Sequence, residues 1–258
     1  MRRKSIKDEQ GHWLLARMGK KVLRPGGKEL TLKLIENLNI QSTDHIVEFA
    51  PGIGFTALIT LQKNPESYTG VELSNDAAIN LQKIIHGKGR KIIVGNASDS
   101  TLPDESSDKV MGEAMLTMQA DTKKEEIIKE AFRILKKGGL YGIHELGLIP
   151  NKMGEEQKSK IQKSLSDVIN VNARPLTIDE WTALLEKEGF IIKKIETNDM
   201  SLLEPKRLID DEGVLRTFKI AFNILTHPIA LGRIWSMRKV FRKYKNHLNA
   251  ISIVAEKQ

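Results

Sequence analysis

The feature that most constrains the fold is an alternation. Between His45 and Glu145, short apolar runs are separated by stretches with helical periodicity, the pattern of strand and helix units that lie side by side in a mostly parallel sheet. The runs predict strands over His45–Ala50, Ser67–Leu73, Lys91–Val94, Lys109–Glu113 and Leu140–Glu145, with helices in the gaps. Thr177–Glu188 reads as a further helix, opened by a capping box of Thr177 and Glu180 and ended by Gly189. Phe190–Thr197 predicts a sixth strand, and Ala250–Glu256 a last one able to return antiparallel to the sheet edge. Ahead of the alternation, residues 8–38 hold two helices parted by the turn Arg24, Pro25, Gly26 and Gly27, with Leu30, Leu34 and Leu38 along one side of the second.

A chain of 258 residues with 40% hydrophobic and 29% charged residues can build a full core. It contains no cysteine, which excludes disulfides, thiolate metal sites and thiol nucleophiles and fits a cytoplasmic location. Arg2, Arg3, Lys4 and Lys7 open the chain, but no apolar stretch follows that would make a signal peptide. Nor does any stretch approach the length of a membrane span. No cluster of His and carboxylates has metal-ligand spacing, so no metal is expected. The net charge of +8 favours anionic partners through long-range attraction without identifying one.

Chemistry enters at Ile46-Val47-Glu48-Phe49-Ala50-Pro51-Gly52-Ile53-Gly54-Phe55-Thr56-Ala57, an apolar strand running into a Gly-x-Gly turn that opens a helix. Glycines let a backbone approach a ligand closely, and a helix N-terminus offers free N–H groups. Glu72 then ends the second strand, where a carboxylate can accept hydrogen bonds from both hydroxyls of a ribose. The combination points to a nucleoside-bearing ligand. Gly52-x-Gly54-x-x-Ala57 also satisfies the dinucleotide fingerprint, so an NAD-dependent dehydrogenase is an alternative.

From about Asp44 to Leu146 the chain resembles class I S-adenosylmethionine-dependent methyltransferases, particularly the broad small-molecule (methyltransferase type 11-like) group that includes the ubiquinone, menaquinone and sterol enzymes. The resemblance rests on the glycine turn, on Glu72, on Gly95-Asn96-Ala97 followed by Leu102-Pro103-Asp104-Glu105-Ser106-Ser107-Asp108, and on Arg133-Ile134-Leu135-Lys136-Lys137-Gly138-Gly139 before the fifth strand. It implies a Rossmann-like, doubly wound, seven-stranded mostly parallel sheet with helices on both faces. A helical cap would span 1–40, the cofactor-binding core 41–200, a helical lid or insertion 201–248, and the last core strand 249–258.

It further implies S-adenosylmethionine as cofactor and S-adenosylhomocysteine as product. Glu48 would stand near the methionine amino group, Ala50, Pro51, Gly52 and Gly54 along the cofactor, Glu72 and Leu73 at the ribose, Asn96 and Ala97 beside the adenine, and Glu113 at the end of the fourth strand. Two positions depart from the family pattern: Ala50 and Asn96 stand where glycine and aspartate are usual, and Asp99 is an alternative adenine contact. The helical preface, the Lys-Lys-Gly-Gly stretch and the returning last strand weigh against the dehydrogenase. A methyltransferase-like binding module without turnover is the non-catalytic alternative.

Residues ending strands four and five should face the transferred methyl. His144 is the candidate base, because its ordinary pKa lies near neutrality, although a strand-end histidine can equally bond backbone. Glu113 and Glu145 are candidate bases or anchors for a cationic acceptor, and Met115 and Met118 a candidate apolar wall. After strand four the chain carries Glu113-Ala114-Met115-Leu116 rather than the Asn or Asp, Pro-Pro and aromatic run of base-amine methyltransferases; it also lacks their cysteine-dependent relatives' nucleophile and the paired-glutamate loop of arginine methyltransferases. A small-molecule acceptor is therefore expected, and nucleic acid is disfavoured.

From Lys219 to Lys245 every charged residue is basic, interleaved with Phe222, Trp235, Phe241 and Tyr244. Three uses fit: contact with an anionic membrane, a lid that Trp13 could meet across the cofactor, or a packed helix with a solvated basic face.

Overall fold

The computed structural model describes residues 5–258; Arg2, Arg3 and Lys4, read above as a cationic opening, lie outside the described residues. Two short helices, α1 (Gly11–Arg17) and α2 (Gly27–Asn37), precede the sheet. The core runs β1 (His45–Phe49), α3 (Phe55–Leu61), β2 (Ser67–Glu72), α4 (Asn75–Ile84), β3 (Arg90–Val94), β4 (Ser107–Glu113), α5 (Asp121–Ile134) and β5 (Leu135–Leu148). Then come α6 (Glu155–Ile169), β6 (Leu176–Thr177), α7 (Ile178–Lys187), β7 (Phe190–Asp199), α8 (Pro205–Glu212), α9 (Val214–Leu225), α10 (Pro228–Lys243) and β8 (Leu248–Lys257).

The strands order as β3-β2-β1-β4-β5-β8-β7, parallel except where β8 runs antiparallel between β5 and β7. The expected doubly wound architecture is therefore present, with three differences of detail. The sheet has eight strands rather than seven, because Leu176–Thr177 pairs with Gly147 and Leu148; two residues are too few to show alternation. The β3–β4 connection holds no helix. The Lys136–Gly139 stretch lies within β5 as an irregularity, the register stepping from Ser107 opposite Leu135 to Lys109 opposite Leu140. The capping box of α7 forms as expected: Thr177 Oγ1 accepts from the Glu180 N–H, and Glu180 Oε2 accepts from the Thr177 N–H at 2.8 Å.

Each face of the sheet carries its own apolar layer. Val47, Phe49, Val110 and Ile143 pack with Ile127, Ile128 and Ala131 of α5 and Trp181 of α7, while Ile46, Tyr68 and Met111 pack with Leu34, Leu38 and Leu81 on the other face. A separate cluster joins α1, α6 and α10 through Leu14, Leu15, Ile161, Leu165, Ile234, Met237 and Phe241. It forms a cap over the carboxyl ends of the strands, built from three segments far apart in sequence. Among the described residues no helix is long and apolar enough to cross a membrane.

Candidate active site

Strand order reverses between β1 and β4, and ligands in open α/β sheets bind in the crevice beyond such a switch point. A cavity of about 500 Å³ lies there, with the β1–α3 turn, the ends of β2 and β4, the Gly95–Ala97 turn and α1 in its walls. Ala50, Pro51, Gly52, Glu72, Leu73, Asn96, Ala97 and Glu113 all line it.

The glycine turn divides its labour. Gly52 has φ +59°, and a Cβ there would meet nothing closer than 3.8 Å, so its missing side chain leaves open space. Gly54 has φ +79° and does not line the cavity; a Cβ there would sit 2.9 Å from both Leu81 and Ile84, so this glycine seats α3 against α4. Ala50 holds φ +51° without being glycine, a conformation that costs an L-residue roughly 1 kcal/mol or more, while its N–H donates to the Val71 carbonyl. Glu72, buried at the end of β2, braces the turn: Oε2 accepts from the Gly52 N–H at 3.0 Å and Oε1 from the Ser74 N–H at 2.9 Å. Asn96 faces the cavity and Asp99 does not; Asn96 Oδ1 accepts from the Ser98 N–H at 3.1 Å.

Glu48 stands apart from the wall. Side chains alternate along β1, and Glu48 shares the face of Ile46, where Oε2 accepts from the Tyr68 hydroxyl at 2.7 Å. Burial, chiefly, pushes its pKa up to about 8, with the carboxylates of Glu113 and Glu72 adding to the rise.

The three residues read as catalytic are likewise largely committed to one another and to backbone. His144 is fully buried and does not line the cavity; Nδ1 lies 2.6 Å from Glu113 Oε1 and Nε2 2.6 Å from the Pro25 carbonyl. Both ring nitrogens are thus taken up by protein partners, and neither faces the cavity. Glu145, also fully buried, accepts from the Met115, Leu116 and Thr117 N–H groups and from the Thr117 hydroxyl, so it shapes the loop after β4. Glu113 does reach the wall. It accepts from Arg24 Nη1 and Thr31 Oγ1 at 2.8 Å each and from Thr56 Oγ1. Burial alone would raise its pKa, but the Arg24 guanidinium, then His144 and Thr56, hold it at about 2.

Arg24, Thr31, Thr56 and His12 escape the sequence reading. Arg24 sits in a turn that reads only as punctuation, yet its guanidinium lies over the Phe55 ring at 5.0 Å, bonds the buried Thr31 and Thr56, and meets Glu113 at the cavity wall. The α8 carboxylates anchor this turn: Glu212 accepts from the Lys21 and Val22 N–H groups, Asp211 from the Lys28 N–H, and both lie within 3.7 Å of the buried Lys20 ammonium. His12, on α1, lines both the main cavity and a smaller apolar chamber of about 100 Å³ beside it. Burial lowers its pKa to about 4. Leu23, Ala114 and Met118 are shared by the two spaces, and Leu165, Met237 and Phe241 form the chamber's far wall. Among the described residues no group of three or more His, Asp or Glu could hold a metal ion.

A family model described as a methyltransferase domain matches residues 47–143, which contain the glycine turn, Glu72 and Asn96. Nearly the whole chain aligns with a relative: it is 36% identical over 255 residues to an uncharacterized protein of Haemophilus influenzae, covering 97% of this chain and 99% of that one. Among solved structures, phosphoethanolamine N-methyltransferase 2 of Haemonchus contortus in complex with S-adenosyl-L-methionine superposes with TM-score 0.72 at 18% identity over 96% of this chain and 56% of that one. A geranyl diphosphate methyltransferase in complex with the same cofactor superposes with TM-score 0.65 at 15% identity, covering 89% of this chain and 85% of that one. With the glycine turn, the braced Glu72 and the crevice at the switch point in place, the chain belongs to the class I S-adenosylmethionine-dependent methyltransferases.

Proposed function

We propose that the protein methylates a small acceptor with an apolar body, and the observation that carries this is the apolar chamber opening off the cofactor cavity. Family membership removes the dehydrogenase alternative. In the proposed arrangement the 500 Å³ cavity takes the cofactor, with Gly52 leaving room for it, Glu72 accepting from the ribose and Asn96 and Ala97 flanking the adenine. When bound, S-adenosylmethionine supplies an electrophilic methyl on a sulfonium. The chamber walls of Leu165, Met237 and Phe241 exclude water and hold the acceptor's apolar part, so that its nucleophilic atom lies where the two spaces meet at His12, Leu23, Ala114 and Met118. Positioning supplies most of the rate.

His12, rather than His144, is the residue proposed to take the acceptor's proton. It stands at the junction and is neutral above about pH 4. Arg24, Glu113 and His144 act through position, holding the α1–α2 turn against the strand ends. The test is titration with S-adenosylhomocysteine, followed by turnover across amphiphilic quinone, phenol and amine acceptors. His12→Asn should keep S-adenosylhomocysteine affinity and lower kcat about 100-fold or more; an unchanged kcat would remove His12 from the chemistry. Cofactor binding without turnover on any acceptor would favour the non-catalytic binding module instead.

A further inference from the structure

α9 turns its apolar stripe outward. Leu215 is 88% exposed, Phe218 71%, Phe222 67% and Leu225 68%, and their spacing of three, seven and ten residues along the helix sets them on one side. Only Ile220 of this helix is buried. Trp235 of α10, 65% exposed, extends the surface, because Leu225 and Trp235 line a common apolar groove of about 310 Å³. Large exposed apolar residues gathered on one element mark a contact rather than ordinary surface.

The surrounding charge has one sign. Between Gly213 and Ala255 there is no Asp or Glu. Of the acids that precede α9, Asp211 and Glu212 turn inward to Lys20, leaving Asp210 exposed. Arg238 and Arg242 pair with Glu204, and Arg216 lies 3.9 Å from Glu212. Lys219, Lys239, Lys243 and Lys245 are exposed, with no ion pair among the described residues. Lys219 adjoins Phe218 at the edge of the stripe, and Lys239 and Lys243 follow Trp235 at one and two helical turns.

We infer that α9 and the adjoining edge of α10 dock on an anionic lipid bilayer, with Leu215, Phe218, Phe222 and Leu225 at the acyl boundary and the lysines among the headgroups. Charge decides between this partner and a second copy. An isologous contact between two such faces would oppose lysine to lysine around the stripe, whereas anionic headgroups complement them all. The inference is independent of methyl transfer. It does give the apolar chamber a source of ligand, since Leu15 lines both the chamber and the outer groove.

The test is co-sedimentation with phosphatidylcholine vesicles, with and without phosphatidylserine, across a salt series. The protein should bind only the anionic vesicles, less as salt rises, with a blue shift of tryptophan emission that Trp235→Phe removes. Leu215→Ser with Phe218→Ser and Phe222→Ser should abolish binding at the same lipid concentration while leaving Tm unchanged, since these side chains are exposed. Lys219→Gln and Lys239→Gln should each weaken partitioning roughly five-fold. Failure to bind anionic vesicles at low salt would overturn the inference, as would binding unaffected by the triple serine variant. A stable dimer that the triple variant dissolves, without vesicle binding, would assign the face to a second copy instead.

Discussion

At the scale of single residues, the two glycines of the first turn make a separable pair. Both hold positive φ, so alanine is strained at either. Gly54→Ala adds a collision with Leu81 and Ile84 at 2.9 Å, and backbone strain plus overpacking should cost about 3 kcal/mol of stability. Gly52→Ala meets no protein atom closer than the Ala50 carbonyl at 3.8 Å. It should cost only about 1 kcal/mol of stability but weaken S-adenosylhomocysteine binding by at least ten-fold. Urea unfolding and calorimetry on the same two variants check this; equal stability loss in both would contradict the division of roles. Gly-x-Gly marks both positions in the sequence, yet which one faces the cavity and which meets α4 depends on neighbours supplied by residues 81–84.

Among elements, the segment from Lys20 to Lys28 matters most and is least legible. Its helix-breaking turn is plain from Arg24, Pro25, Gly26 and Gly27, but nothing local shows that the guanidinium of Arg24 inserts between Thr31, Thr56 and Glu113. The segment is fixed by α8, nearly the length of the chain away, through Asp211 and Glu212 around Lys20. Asp211→Ala removes one partner of an almost fully buried ammonium and frees the Lys28 N–H, so it should cost about 3 kcal/mol. It should also lower cofactor affinity, because Leu23 and Arg24 lie on the cavity wall. A loss under about 1 kcal/mol in denaturant unfolding would mean that the triad does not hold the turn. The basic insertion likewise splits on folding. Phe241 and Tyr244 become core, while Phe222 and Trp235 stay outside.

For the whole molecule, the shifted groups set a pH profile of stability. Glu113, held at about 2 when folded, stabilises the protein above its ordinary carboxyl range, and that contribution is lost as pH falls from about 4.5 to 2. Glu204, also held at about 2, first by Arg242 and Arg238, adds to the same acid limb. Glu48 acts in the opposite direction. Raised to about 8, it stays neutral in the fold while the unfolded chain ionises, so stability falls as pH rises from about 4.5 to 8. His12, lowered to about 4, makes stability fall as pH drops from about 6.5 to 4. Between about 4.5 and 6.5 the slopes of Glu48 and His12 cancel. Tm should therefore be flat there and decline on both sides, and Glu48→Gln should remove the alkaline decline. An alkaline limb that survives that substitution would show that Glu48 is not its source.

The sequence by itself determined the strand and helix alternation, the glycine turn, Glu72, the α7 capping box and the family, because each is written in neighbouring residues whose spacing obeys the geometry of one strand, one turn or one helix. Tertiary structure alone decided which side chains surround the cavity. The fifth strand runs on to Leu148, so His144 and Glu145 lie within it rather than at the end expected at Glu145, and Pro25, Glu113 and the loop after β4 claim their polar atoms. His12 reaches the cavity because α1, α6 and α10 fold into one cap, and Arg24 because α8 anchors its turn. A side chain's chemistry depends on which acceptors and apolar walls surround it, and those come from segments that meet only when the chain closes on itself.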